Sequence, residues 1–325
     1  MKRLIFVLVC IINCCVSLAQ QSSLYALLIS GGRNKLYNHE RYLNDCAFLY
    51  RTLRSDYLIA KDHITLLMAD GNNPASDMLL DGGTGFASSP TDLDGDGEDD
   101  LYLAATMENL QQSLNRLTET LTPKDHLFVF ITDHGERTTT GVTRLWLWDG
   151  HTVTPSQLAD LFRPLHPASI CFLMGQCFAG AFADELLAEH RIIITSCGAD
   201  ELSWSSPGRP YDEFVYHWTC AIAGHDENYQ PIEADENHDG HITLDEAFAY
   251  AYHHDRRPET PAISSLPATL ASQWSFDKHN LPAAIYCPTS FPPSHRIFNL
   301  LGQDLDAPPS KGIYIEDGHK KHKKR

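Results

Sequence analysis

The stretch that decides the fold is Asp125-His-Leu-Phe-Val-Phe-Ile-Thr-Asp-His-Gly135, an apolar run that stops at polar residues and a glycine. A second run, Ser169-Ile-Cys-Phe-Leu-Met174, stops in the same way at Gly175-Gln176-Cys177. Short apolar runs of this kind are typical of strands that are buried on both faces of a parallel sheet. Side chains just beyond the carboxyl ends of neighbouring parallel strands share one crevice. We therefore expect the imidazole of His134 and the thiol of Cys177 to meet there.

Strand and helix patterns alternate along most of the chain. Further buried strands are predicted at residues 24–30, 64–68 and 191–195, and helices at residues 42–53, 106–121 and 183–190. Another helix is predicted to begin at Thr154-Pro155, an N-cap residue followed by proline at the first helical position. Strands that alternate with helices predict an α/β fold class, with a parallel sheet covered by helices on both faces.

Net charge restricts the kind of partner. The 325 residues include 25 Lys and Arg against 42 Asp and Glu, so the formal net charge is −17 at pH 7. A surface this acidic disfavours nucleic acid. We therefore predict no nucleic-acid partner. The length is sufficient for one large domain or two smaller ones with an ample core.

The first nineteen residues read as a secretory signal peptide. Lys2 and Arg3 precede an apolar stretch over residues 4–16, and Ser17-Leu-Ala19 supplies a small-residue cleavage site. The apolar stretch is shorter than the roughly 20 residues that a spanning helix needs. We expect an exported protein, secreted or at the cell surface, with no stable membrane span.

These patterns resemble the legumain-type cysteine peptidases of the caspase-like clan. The resemblance covers roughly residues 24–222, and its most specific piece is the strand-terminal Thr132-Asp-His-Gly135. The other pieces are Val153-Thr-Pro155 at a helix start, Cys177-Phe-Ala-Gly180, and Tyr211-Asp-Glu-Phe214 leading to Trp218. The resemblance implies a caspase-like three-layer α/β/α fold and a cysteine endopeptidase that acts on a protein or peptide substrate.

The resemblance also assigns catalytic roles. It makes Cys177 the nucleophile and His134 the general acid/base. The backbone N–H groups of Gly135 and Cys177 are then the natural oxyanion donors. A nearby imidazolium or a helix N-terminus would lower the pKa of the thiol. Cys197, which follows residues 191–195 in the same way, is the second candidate nucleophile.

Three further positions are assigned by the resemblance. A third catalytic residue, an asparagine shortly before an arginine, is placed at Asn38, although alignment on Arg41 puts His39 at that position. Arg41 and Asp212 are predicted to line the substrate pocket. A pocket acid of the family is replaced by Gly175, so the family's preference for asparagine is not carried over.

Two short acidic loops match calcium-binding patterns. Residues 235–246 match an EF-hand loop, and residues 92–100 resemble the calcium loops of extracellular repeat proteins. The predicted ligands are Asp235, Asn237, Asp239, His241 and Glu246 in the first loop, and Asp92, Asp94, Asp96, Glu98 and Asp100 in the second. Both loops predict structural Ca²⁺, with no organic cofactor. For the second loop, a solvated acidic turn is the alternative.

Composition changes after residue 255, where prolines become frequent. We expect a caspase-like peptidase domain over residues 20–276 with the calcium loops inserted in it, and a linker over residues 277–295. Residues 296–325 are predicted to form two short strands before a lysine-rich tail. They resemble the sorting segments of proteins exported by type IX secretion in Bacteroidetes, which implies a bacterial protein whose C-terminus is recognised by export machinery at the outer membrane.

Other interpretations remain open at this point. A buried histidine and a buried small apolar residue are the structural alternatives for His134 and Cys177. An acyl-enzyme captured by an amine would make the protein a transpeptidase or ligase. A chain that kept the fold without activity would be a calcium-binding surface module.

Overall fold

The computed structural model describes residues 22–100 and 102–277, together with the backbone of four short strands between residues 297 and 323. The predicted signal peptide, residues 1–19, and residues 278–295 of the predicted linker lie outside these described residues. The chain divides into two compact units, residues 1–281 and residues 282–325.

The first unit contains eleven described strands and six described α-helices. The strands are β1 Leu24–Ser30, β2 Ile64–Met68, β3 Met78–Leu79, β4 Phe86–Ala87, β5 His126–Thr132, β6 Gly135–Arg137, β7 Thr143–Trp146, β8 Thr152–Val153, β9 Ser169–Met174, β10 Arg191–Thr195 and β11 Ala262–Leu266. The helices are α1 Glu40–Arg51, α2 Met107–Thr120, α3 Pro155–Phe162, α4 Ala183–Leu186, α5 Glu213–Ala223 and α6 Leu244–His254.

Six of the strands form one central sheet in the order β11-β10-β9-β5-β1-β2. The five strands from β10 to β2 are parallel, and β11 joins β10 in antiparallel orientation at the edge. The strands β5 and β9 are direct neighbours, with Ile131 paired with Met174 at their carboxyl ends. The prediction of a mainly parallel sheet is confirmed.

The strand β5 shows why the sheet strands are apolar throughout. Leu127, Val129 and Ile131 belong to the core on one face of the sheet, and Phe128 and Phe130 belong to the core on the other face. The first core also contains side chains of α2, α3 and α4, and the second contains side chains of α1, α5 and α6. Because both faces are covered, alternation between apolar and polar residues is absent. The layers are those of the predicted three-layer α/β/α fold.

Several local predictions are confirmed and others are wrong. The helix α3 begins after Thr154, whose side chain forms a capping box with Gln157. The helix predicted over residues 183–190 ends at Leu186, because Leu187 has an extended backbone and His190 has a positive φ of 61°. The edge strand β11 was not predicted from the sequence, since its residues are half-buried or exposed.

The second unit is a four-stranded antiparallel sheet with the order β13-β12-β14-β15. Its strands are β12 Ile297–Phe298, β13 Asp304–Leu305, β14 Gly312–Glu316 and β15 His319–Lys323. The lysine-rich stretch His319–Lys323 is therefore itself a strand, which the sequence analysis did not predict.

Within the described part of the chain, no helix combines the length and the apolar character needed to cross a membrane.

Candidate active site

His134 lies two residues beyond the end of β5. Its Nε2 atom is 2.9 Å from the main-chain oxygen of Tyr37, in the loop between β1 and α1. A carbonyl oxygen can only accept a hydrogen bond, so Nε2 carries the hydrogen and Nδ1 is the nitrogen that can take a proton. The main-chain N–H of His134 donates to the Asp133 carboxylate at 2.5 Å. Main-chain groups around β1 and β5 therefore orient the imidazole.

Aromatic side chains enclose this imidazole. The rings of Tyr37, His39 and Tyr42 meet it edge-on, with centroid separations of 5.8, 5.3 and 5.5 Å. Burial lowers the pKa of His134 below its ordinary value, and the bond to the Tyr37 carbonyl only partly opposes this effect. Burial and the charge of Arg41 lower the pKa of His39 to about 4. Both imidazoles are therefore neutral at neutral pH.

Gly135 brings the end of β5 against the end of β9. A Cβ atom built on Gly135 would lie 2.7 Å from the carbonyl carbon of Cys177 and 3.2 Å from its Cα. Real side chains do not come this close to a main chain, so only glycine fits at this position. The two strand ends that the sequence analysis paired thus touch through their main chains, which places Cys177 beside the residue that follows His134.

The Cys177 thiol is partly buried. Its sulfur lies 3.7 Å from the main-chain oxygen of Ser203 and donates a hydrogen bond to it. Burial raises the pKa of the Cys177 thiol above its ordinary value. The chain after Cys177 passes through Phe178 with a φ of 60° and a 3-10 turn, Ala179–Phe182, before α4 begins. No long helix begins at Cys177, so the predicted lowering of its pKa by a helix N-terminus has no structural basis.

Cys197, the second candidate nucleophile, is fully buried. Its sulfur donates to the main-chain oxygens of Gln176 and Glu201, each at 3.5 Å. Burial raises the pKa of this thiol to about 12. A thiol that is sealed from solvent and protonated is a poor nucleophile, so the geometry favours Cys177 over Cys197.

Arg41 and Asp212, the two predicted pocket residues, form an ion pair of 2.8 Å. Thr132, at the end of β5, donates to the other Asp212 oxygen at 3.1 Å. The buried Asp45 carboxyl accepts the main-chain N–H of Asp212 at 3.2 Å. Burial and the negative charge of Asp212 raise the pKa of Asp45 well above its ordinary value. The charges of Asp212 and Arg41 also act, in opposite directions, on the Cys177 thiol.

Asn38 does not engage the imidazole of His134 through its side chain. The Asn38 amide is buried and donates to the main-chain oxygen of Asp77 at 3.1 Å. The group that contacts His134 is the main-chain oxygen of the preceding residue, Tyr37. Sequence reasoning found the segment but not the atom, because a main-chain carbonyl leaves no mark on residue type.

The loop over residues 235–246 has the turn of an EF-hand loop. The Asp235 carboxylate accepts the N–H groups of Asp239 and Gly240, at 3.2 and 2.8 Å. At the far end, Glu246 forms a capping box with Thr243 at the start of α6. The remaining predicted ligands lie in the same loop. Asn237 Oδ1 accepts the Asp239 N–H at 2.8 Å, and the His241 ring contacts Asp277. An EF-hand takes the main-chain oxygen at the His241 position.

Three of the five predicted ligands of the loop over residues 92–100 come together. Carboxylate oxygens of Asp92, Asp94 and Asp100 lie within 4.8 Å of one another, whereas Asp96 and Glu98 lie outside this cluster. Lys61 and the Tyr50 hydroxyl already contact Asp100, at 2.8 and 2.7 Å. Although burial opposes it, these contacts lower the pKa of Asp100. A cation at this loop would compete with Lys61.

Sequence comparison places the chain in a known family of proteins. A profile described as the peptidase C13 family matches residues 24–235, which is more than half of the chain. No curated protein matches the chain. The matched stretch contains Tyr37, Arg41, His134, Cys177 and Asp212, but not α6 or the residues that follow it.

Proposed function

The chain belongs to the peptidase C13 family, the legumain-type cysteine peptidases, and we propose that it hydrolyses peptide bonds with Cys177 as nucleophile and His134 as general base. One observation carries the assignment of these two residues. Gly135 and Cys177 pack main chain against main chain at the ends of two neighbouring strands, so the residues that carry the imidazole and the thiol are held at one place. Cys197 is sealed in the core.

The first half of the cycle forms a thioester. Nδ1 of the neutral His134 takes the thiol proton as the Cys177 sulfur attacks the carbonyl carbon of the substrate. The oxygen that becomes negative accepts hydrogen bonds from the N–H groups of Gly135 and Cys177. His134 then gives its proton to the leaving amine, the carbon–nitrogen bond breaks, and the acyl group stays on Cys177.

The second half returns the enzyme to its resting state. His134 takes a proton from water as the water oxygen attacks the thioester carbon. The carbon–sulfur bond breaks, the acid product leaves, and the proton returns to the Cys177 sulfur. The fixed Nε2 contact with the Tyr37 carbonyl supports this role, because it keeps Nδ1 as the acceptor in each step.

Arg41 and Asp212 are proposed as the polar wall of the substrate pocket. Their ion pair carries no net charge of its own and offers both donors and acceptors to a substrate side chain. The link from Thr132 to Asp212 ties this wall to the strand that carries His134.

Calcium is proposed as a structural ion of the loop over residues 235–246. Asp235, Asn237, Asp239 and Glu246 offer side-chain oxygens and His241 a main-chain oxygen, which is the donor set that Ca²⁺ prefers. Bound calcium would offset the mutual repulsion of these acids. We propose a weaker second site at Asp92, Asp94 and Asp100, where Lys61 competes.

Export to the outside of the cell completes the proposal, supported by the sequence of residues 1–19 and by the resemblance of residues 296–325 to sorting segments. Expression in a secreting host, followed by mass spectrometry of the protein in the medium, tests this. Protein in the medium that begins after Ala19 is the expected result. Uncleaved protein that stays inside the cell would contradict it.

Peptide hydrolysis itself is tested with a library of mixed peptides and product identification by mass spectrometry. Wild-type protein should release two shorter peptides from each cleaved substrate, and Cys177→Ala should release none. Cys197→Ala is the matched control, a second cysteine near the same strand ends, and should keep hydrolysis. Loss of activity in Cys197→Ala alone would assign the nucleophile to the other strand end.

A further inference from the structure

A short segment after α6 forms hydrogen bonds with the loop that flanks Cys177. We call residues 255–260 the strap and residues 201–206 the thiol-side loop. Three side chains of the strap reach this loop. Arg257 Nε donates to the Ser205 oxygen at 2.7 Å, Thr260 Oγ1 donates to Glu201 at 2.9 Å, and a Glu259 oxygen accepts the Trp204 N–H at 3.1 Å.

The hydrogen bond of Glu259 differs from the other two because it is made to the peptide group that also contacts the Cys177 thiol. The Ser203 carbonyl and the Trp204 N–H belong to one planar peptide group. The carbonyl of this group accepts the hydrogen bond of the Cys177 thiol at 3.7 Å, and its N–H donates to Glu259 at 3.1 Å. A rotation of the peptide plane therefore moves both contacts together.

The other oxygen of Glu259 indicates how this side chain is held. Glu259 Oε1 and Asp255 Oδ2 are both buried, and neither oxygen accepts a hydrogen bond from an N–H or O–H donor of another residue type. The two carboxyl groups interact, and two carboxylates in contact repel each other unless they share a proton. Burial, together with the negative charge of Asp255, raises the pKa of Glu259 to about 9. As a neutral acid, Glu259 donates to Asp255 and accepts from Trp204.

We propose that Glu259 is a positioning residue for the Cys177 thiol and acts through the Ser203–Trp204 peptide. The inference rests on the proposed role of Cys177. Glu259 lies outside the stretch matched by the family profile, which ends at residue 235. The groups that act on Glu259 from neighbouring elements are Asp255 on the strap, the side chain of Ser203 and the charge of Asp212 before α5. Glu259 acts in turn on the thiols of Cys177 and Cys197.

Two substitutions separate positioning from simple packing. Glu259→Gln keeps both hydrogen bonds, because its amide N–H₂ donates to Asp255 and its amide oxygen accepts from Trp204. Glu259→Met keeps the volume and loses both bonds. Thr260→Val is the matched control, since it removes a strap bond to Glu201 and leaves the Ser203–Trp204 peptide untouched.

The readouts are the pH profile of Cys177 alkylation by iodoacetamide, and kcat and KM for a cleaved peptide. Glu259→Met should displace the Cys177 thiol from its contact with Ser203, which shifts the alkylation midpoint away from the wild-type value and changes the alkylation rate at pH 7.5 about threefold or more. It should also lower kcat on the order of 10- to 100-fold, as small misplacements of reacting groups do, with little change in KM. Glu259→Gln and Thr260→Val should match the wild type.

Thermal unfolding of each variant checks that folded protein is compared. If Glu259→Met does not fold, Glu259→Asp replaces it, because the shorter side chain withdraws the carboxyl group from Trp204. An unchanged alkylation profile in the disrupting variant would overturn the proposal, and so would equal effects in Thr260→Val. Alkylation needs no peptidase activity. A wild type that cleaves no peptide but shows the expected alkylation shifts would therefore contradict the proposed function alone.

Discussion

The side chain of Val215 occupies the space that any side chain at Gly175 would need. A Cβ atom built on Gly175 would lie 2.7 Å from Cγ2 of Val215, on α5. Gly175 is the position at which the resemblance to legumain-type peptidases predicts a pocket acid. The space that the side chain of an acid would need at this position is therefore filled by Val215, from helix α5.

Gly175→Glu is expected to destabilise the protein. The new side chain clashes with Val215, and overpacking of this kind costs about 1–3 kcal/mol, to which burial of a carboxyl group adds. Val215→Ala in the same chain should relieve the clash and recover part of the loss. Urea unfolding of the two single variants and the double variant measures this coupling. Strict additivity of the two changes would show that the residues do not compete for space.

The reaction of Cys177 with a small alkylating reagent is expected to rise with pH. Burial raises the pKa of the thiol and lowers that of His134. Between the two values both groups are neutral, so little thiolate exists at pH 7 and more forms as the pH passes the raised thiol pKa. Iodoacetamide rates between pH 5 and 10 test this. A fast plateau from pH 5 to 8 would instead indicate a preformed thiolate–imidazolium pair.

Gly135→Ala is expected to abolish hydrolysis by displacing the ends of β5 and β9. Its methyl group would meet the main chain of Cys177, which cannot yield as a flexible side chain would. We expect kcat/KM to fall at least about 100-fold, as for other misplaced catalytic groups. Glu136→Ala, one residue further along β6, is the control and should retain activity. Normal activity in Gly135→Ala would refute the packing described here.

Calcium is expected to raise the unfolding temperature relative to chelator. A ligand at 100 times its Kd stabilises the folded state by about 2.7 kcal/mol, which corresponds to roughly 5 °C or more in a domain of this size. Asp235→Asn should remove most of this shift. Asp226→Asn is a matched control, because Asp226 also accepts N–H groups in an exposed turn, from Asn228 and Gln230 at 2.8 Å each. Equal shifts in all three proteins would contradict a site at residues 235–246.

The parallel strands were predictable because each is a short apolar run that ends at polar or glycine residues. The edge strand β11 was not, since Ala262–Leu266 contains two serines and is half-exposed. His134 and Cys177 could be found because imidazole and thiol are distinctive groups at strand ends. Tyr37 and Ser203 contact His134 and Cys177 through their main-chain oxygens, and Glu259 comes from a segment that is distant in sequence. No local pattern marks such residues.

The central claim is that Cys177 is a nucleophile activated by His134. A peptide-mimic electrophile that reacts with thiols, followed by mass spectrometry of the labelled peptide, tests it most directly. We predict rapid labelling confined to Cys177, lost in Cys177→Ala and strongly slowed in His134→Ala. Slow labelling spread over several cysteines of the folded, calcium-loaded protein, or equal labelling with and without His134, would contradict the claim.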